Sequence, residues 1–213
     1  EFVMSPLFKR HHVLGIAAAA LLIGCSGGES GTGMQASQTT TGEITGFGSV
    51  YVGGVKFNTD NATIHIDGTP SSESNLSVGM VVTVTGSVNS DGMNGTANAI
   101  TAKTEVEGLV FENNVAGNST LNVMGQIINI SNDTKFKSEV AGITTIDLLV
   151  DNDTVVEVNG YSDGQGNIYA TYVKAVASGG LSAEVKLHGV VQGLAGNTFQ
   201  IGSIDVAFDA STQ

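Results

Sequence analysis

The chain has 213 residues, a formal net charge of -12 and only 8 Lys and Arg, with 29 Gly, 2 Pro, 1 Cys and no Trp. So acidic and Lys-poor a surface lacks the cations that neutralise phosphates, which argues against DNA or RNA as a partner. Gly, Val and Thr are the commonest residues, Asn, Asp and Ile are well represented, and mean hydropathy is positive; this is the composition of strands and tight turns, not of a disordered chain.

Residues 7–28 read L-F-K-R-H-H-V-L-G-I-A-A-A-A-L-L-I-G-C-S-G-G. Lys9 and Arg10 form a positive flank, residues 13–23 a short apolar run, and Cys25 follows Leu22, Ile23 and Gly24. The run is shorter than the about 20 apolar residues of a spanning helix and has the layout of a secretory signal. It resembles the bacterial lipobox, in which the cysteine thiol is diacylated and becomes the new N-terminus. Cys25 is the expected lipidation site, and a lone thiol with no disulfide partner suits that fate. The plainer alternative makes Cys25 a small residue after a conventional signal or inside an anchor helix. Each buried CH2 of an acyl chain contributes about 0.8 kcal/mol, so the expected membrane contact is the lipid. Ser26 stands where an Asp would resemble an inner-membrane retention signal, which points to the outer membrane of a bacterial envelope. Because Glu1 and Phe2 precede Met4 and residues 209–213 end without a terminating pattern, the chain is expected to be a fragment at both ends.

Residues 26–41 lack apolar periodicity and read as a flexible Gly/Ser/Thr tether after the 1–25 signal peptide. From Gly42 onward short alternating runs begin, as half-buried strands require. Strands are expected around Ile44, at residues 49–52 and 55–57 about a Gly53-Gly54 hairpin turn, and at 63–66, 80–85 and 96–101. A loop is expected at 68–75, and the one weak helical candidate lies at 138–149. The layout then repeats. Val81-Val-Thr-Val-Thr-Gly86 is matched by Val155-Val-Glu-Val-Asn-Gly160, and the Asp91-Gly92 turn by Asp163-Gly164. A third start at His188-Gly-Val-Val191 resembles Glu107-Gly-Leu-Val110. The expected organisation is a first β-barrel repeat at 42–104, a second at 105–178 and a truncated third at 185–213. The two-residue period puts Val82, Val84, Val156 and Val158 inward, with Thr83 and Glu157 outward. Closure removes the open edges of so small a sheet, so the expected fold is all-β: tandem small OB-like barrels. A β-sandwich spanning both units is the structural alternative.

The stretches Gly42-Glu-Ile-Thr-Gly-Phe-Gly-Ser-Val-Tyr-Val-Gly-Gly-Val-Lys-Phe57 and Leu76-Ser-Val-Gly-Met-Val-Val-Thr-Val-Thr-Gly86, with the Asp-Gly turn after them, resemble a bacterial family called domain of unknown function 5666. The resemblance implies tandem small barrels, often on exported lipoproteins, and brings no catalytic motif.

The residues themselves specify little chemistry. Asp151, Asp153, Asp91 and Asp163 place carboxylates in acidic loops, and residues 159–164 imitate the start of a calcium loop. Ala170 stands where its closing Glu belongs, and Asp and Asn are ordinary turn residues, so no metal site is expected. His11 and His12 fall in the signal, and His65 and His188 stand far apart without zinc spacing. No G-x-S-x-G elbow occurs, and Gly46-Phe-Gly48 is followed by no helix to cradle phosphate. Catalytic residues, cofactors and an enzymatic role are therefore not expected. Tyr161, Tyr169 and Tyr172 could form a stacking surface for sugars or bases, or divide between one core and one surface contact. The leading expectation is a lipid-anchored envelope protein with a structural or display role. The alternative is a ligand-binding module for an oligosaccharide, peptide or protein on the OB-like faces.

Overall fold

The computed structural model describes residues 37–180 and 185–212. The expected signal peptide and most of the expected tether, with Cys25, lie outside the described residues. In the first module β1 (Gln38–Gly46), β2 (Val50–Val52), β3 (Val55–Asn58), β4 (Thr63–Ile66), β5 (Thr69–Ser71), β6 (Val81–Val88) and β7 (Asn94–Ala102) follow one another. Five of these strands close on themselves in the order β1-β2-β3-β7-β6, with β1 bonded back to β6. The closing pair, β3 with β7, is parallel, whereas the other barrel pairs are antiparallel. This is the five-stranded Greek-key barrel of the OB type. β4 continues along the same edge of β7 beyond β3, with β5 hairpinned onto it.

The second module repeats the plan. It comprises β8 (Val106–Asn114), a helical turn α1 (Val115–Asn118), β9 (Thr120–Val123), β10 (Gln126–Asn129), β11 (Lys135–Ser138), β12 (Val155–Ser162) and β13 (Asn167–Ala177). The barrel closes as β8-β9-β10-β13-β12, again through a parallel pair, β10 with β13. β14 (Lys186–Leu187) adds to β8, and β15 (Val191–Ala195), β16 (Thr198–Ile201) and β17 (Ile204–Ala207) form a separate three-stranded sheet.

The inward alternation follows the sequence period. Val82, Val84, Val156 and Val158 are buried, with Ile44, Phe57 and Ile100 filling the first core and Leu121, Ile128 and Ile168 the second. β6 and β12 each carry a bulge at a glycine. Between Thr85 and Gly86 the register slips, leaving Asn98 unpaired on β7; between Asn159 and Gly160 it slips again, leaving Thr171 unpaired on β13. These bulges raise the local twist, which a closed five-stranded barrel needs.

The structure moves several boundaries. Gln38, Thr39, Thr40 and Thr41, read as the end of the tether, pair with Gly86, Thr85, Val84 and Thr83, because a run of β-branched threonines completes the ladder beside β6. The loop at 68–75 contains β5. The helical candidate at 138–149 holds only a single 3-10 turn, Ile146–Leu148, which buries Ile146. Lys186 and Leu187, read as the start of the third repeat, are bonded to Glu107 and Val106 of the second.

Candidate functional site

The two barrels meet at a joint built from side chains distant in sequence. Asp67, in the β4–β5 turn, accepts a hydrogen bond from the Thr104 N–H at 2.7 Å on one carboxylate oxygen. Its other oxygen lies 3.2 Å from the Lys186 ammonium, which also reaches Glu107 at 2.7 Å. The Glu105 N–H donates to Val158 O at 2.8 Å, and Asn159 Nδ2 donates to Lys103 O at 3.1 Å. Tyr172 leaves the second barrel altogether: its ring packs in the core of the first and is 3 % exposed.

Two forces oppose each other at Asp67. Burial alone would raise its pKa; the hydrogen bonds from Thr104 and the Lys186 ammonium overcome that and hold the carboxyl below the usual range. Lys186 is pushed up, first by its bond to Glu107. Glu157 behaves in the opposite sense, raised by burial against the pull of Lys174. A carboxylate with a lowered native pKa stabilises the fold above its unfolded pKa of about 3.9, and that contribution fades as pH falls through the native value. Urea titrations at pH 7 and pH 3.5 are expected to show an acid loss of stability that is smaller in Asp67→Asn. An equal loss in both proteins would remove Asp67 from the joint's acid response.

Above the joint lies a cleft of about 900 Å³. Its floor is the outer face of the first barrel, where register sets Thr41 opposite Thr83 and Thr83 opposite Thr101. The Thr41 and Thr83 hydroxyls are 3.0 Å apart, so the row is a preformed hydroxyl ladder. The second barrel supplies Tyr161 as a wall, and Lys186 and His188 close the far side. Burial lowers the pKa of His188, with Lys103 adding to the effect, so the imidazole is neutral at pH 7. The carboxylates of Asp67 and Glu107 already take up Lys186. What remains open to a ligand is hydroxyl, aromatic and backbone surface, with one side chain of each charge, Lys103 and Glu105, at the lining. The cleft does not use the β2–β3 face on which OB folds commonly bind.

Register also brings together two tyrosines singled out from sequence. Tyr161 and Tyr169 stand directly opposite each other on β12 and β13 and are 48 % and 59 % exposed. Both line a second depression, which Glu43 of the first barrel shares. Tyr172 is not part of this surface. The acidic turns are occupied by their own backbones. Asp91 accepts from the Met93 and Asn94 N–H groups, and Asp163 from those of Gln165 and Asn167, which lowers both carboxyls after the larger effect of the Asn94 and Asn167 side chains. Asp151 and Asp153 accept from the N–H groups of Asn113 and Gly179 respectively. Among the described residues no group of three His, Cys, Asp or Glu side chains could hold a metal ion. The joint itself was not visible in the sequence: Asp67 and Lys186 are 119 residues apart.

A family model described as Domain of unknown function (DUF5666) matches residues 41–101 and again 107–174. The two matches fall on the two barrels in turn. Searches of curated proteins and of solved structures find no match.

Proposed function

The chain belongs to the family described as Domain of unknown function (DUF5666), and from this premise we propose that it is an exported, lipid-anchored protein of the bacterial envelope whose coupled barrels serve a structural or display role. One observation supports this reading best. The repeats are welded by a buried tyrosine and a doubly paired lysine, so the tandem presents its outer faces in a fixed relation. Anchorage in this reading is the acyl group on Cys25, and Ser26 directs the protein to the outer membrane. No catalytic step, cofactor or nucleic-acid partner belongs to it. Metabolic labelling with radioactive palmitate tests the anchor. The wild-type chain is expected to take up label and sediment with membranes, and Cys25→Ala to do neither. Label on the variant, or none on the wild type, would defeat the proposal.

The cleft supports a second reading, in which the same protein binds a neutral oligosaccharide. A hydroxyl ladder beside an exposed tyrosine matches the alternating polar edge and apolar face of a sugar ring, while a net charge of -12 disfavours anionic ligands. A glycan array followed by calorimetry is expected to find saturable binding that Tyr161→Ala weakens by about tenfold, the loss of one stacking contact. An array without a hit, or a hit that Tyr161→Ala leaves unchanged, would remove the cleft from consideration.

A further inference from the structure

A separate depression of about 400 Å³ lies between the two barrels, roofed by residues 66–80 of the first and floored by the outer face of the second. Register lays out the floor. Asn159 stands opposite Tyr172 across β12 and β13, Glu157 stands opposite Lys174 two residues along, and Lys137 on β11 lies beside Lys174. Because Val158 and Val173 point into the barrel core, alternation turns these neighbours outward, toward the first barrel. Asn159 and Tyr172 both line the depression and are 5 % and 3 % exposed, yet Asn159 Oδ1 and the Tyr172 hydroxyl have no hydrogen-bond partner of good geometry. Turning the amide over does not help, because Asn159 Nδ2 already donates to Lys103 O and a flip would set oxygen against oxygen. Two buried unpartnered polar atoms beside one cavity cost the fold stability, and a ligand that completes them accounts for their presence.

The charges set the class of that ligand. Lys174 pairs with Glu139 at 3.0 Å and is 3.8 Å from Glu157, so Glu157 is the less compensated carboxylate. Burial raises its pKa against the pull of Lys174, and an incoming ammonium therefore gains more here than at an exposed carboxylate. Lys137 is in no ion pair among the described residues. One anion and one cation are left over, two strand spacings or about 10 Å apart at the backbone. We propose that this depression binds a free amino acid. Its ammonium donates to Glu157 and to Asn159 Oδ1, which lie side by side on β12. Its carboxylate accepts from the Tyr172 hydroxyl and pairs with Lys137. A simple amine would leave Lys137 and the hydroxyl unfilled, and a simple carboxylate would leave Glu157 and Asn159 Oδ1 unfilled.

The test screens the standard amino acids against the full chain by saturation-transfer NMR and follows the hits by calorimetry, with butylamine and butyrate as half-ligands. At least one amino acid is expected to bind saturably, and each half-ligand at least about tenfold more weakly. Tyr172→Phe keeps the ring that joins the barrels and removes only the hydroxyl; it and Glu157→Gln are each expected to weaken binding about tenfold or more, the loss of one hydrogen bond or charge. Tyr161→Ala, which alters the other cleft, is expected to leave this binding unchanged, so the two sites stand or fall separately. The proposal is overturned if no amino acid binds, if a half-ligand binds as tightly as the amino acid, or if Tyr172→Phe and Glu157→Gln bind like the wild type. A loss in Tyr161→Ala with none in Tyr172→Phe would also overturn it, by moving the ligand to the cleft.

Discussion

Gly160→Ala is expected to unfold the second barrel, and Gly86→Ala the first. A Cβ on Gly160 would lie 2.2 Å from the carbonyl oxygen of Tyr169, and one on Gly86 would lie 2.0 Å from that of Thr96. Both contacts are with backbone, and the backbone belongs to the strand that the bulge pairs, so no rotamer change relieves them. Relief requires the two strands to part just where the bulge bends the sheet into closure. Overpacking of a core by a methyl group costs about 1–3 kcal/mol when side chains can adjust; a backbone clash in a closed barrel is expected at or beyond the upper end. Single domains are stable by about 5–15 kcal/mol, and modules this small sit at the low end. The comparison is Gly46→Ala, whose Cβ would meet only the Tyr51 ring edge at 3.7 Å and should change stability by less than about 1 kcal/mol. Urea unfolding followed by circular dichroism measures both. A wild-type midpoint for Gly160→Ala would show that the bulge relaxes and that the glycine is incidental.

The same glycines show how far the sequence could be read. The repeated run of alternating valines ending in Gly86 and Gly160 revealed two copies of one module, and alternation placed Val82, Val84, Val156 and Val158 inward, where they are buried. A glycine at the end of a strand pattern, however, reads equally as a turn, and nothing local shows that β6 and β12 run on through it. Parallel closure by β3–β7 and β10–β13 was hidden for a related reason. It joins segments that never adjoin in sequence, and β-pairing partners leave no local mark. The threonines at 38–41 looked like tether because hydroxyl residues suit both a solvated linker and a solvent-facing strand; only pairing with β6 decides. Of the candidate surface, the tyrosines were noticed but not their register, since Tyr161 and Tyr169 face each other only once β12 and β13 are known to be antiparallel. The ion triad of Asp67, Glu107 and Lys186 was out of reach altogether, because three separate elements place it.

Tyr172→Ala is expected to separate the unfolding of the two barrels. In the folded chain the ring is a core residue of the first barrel supplied by the second, packed with the cluster that holds Leu76, Met80 and Ile100. Truncating a buried aromatic removes its transfer energy and leaves a cavity, together about 3–5 kcal/mol. Here the loss falls on a contact between modules, so the deficit appears as lost coupling. The wild type is expected to unfold in one transition, and Tyr172→Ala in two, with the first barrel melting earlier. The hydroxyl carries none of this. It is buried near Ser77 without a hydrogen bond of good geometry, and burial raises its pKa. An unsatisfied buried polar group costs about 1–3 kcal/mol, so Tyr172→Phe, which keeps the ring and removes the orphan oxygen, is expected to match or exceed wild-type stability. Differential scanning calorimetry with hydrogen exchange resolves the two modules. A single transition in Tyr172→Ala would mean that the barrels couple through the Lys186 ion pairs and the Thr104–Asp67 and Asn159–Lys103 hydrogen bonds. A loss in Tyr172→Phe as large as that in Tyr172→Ala would place the weld in the hydroxyl and not in the ring.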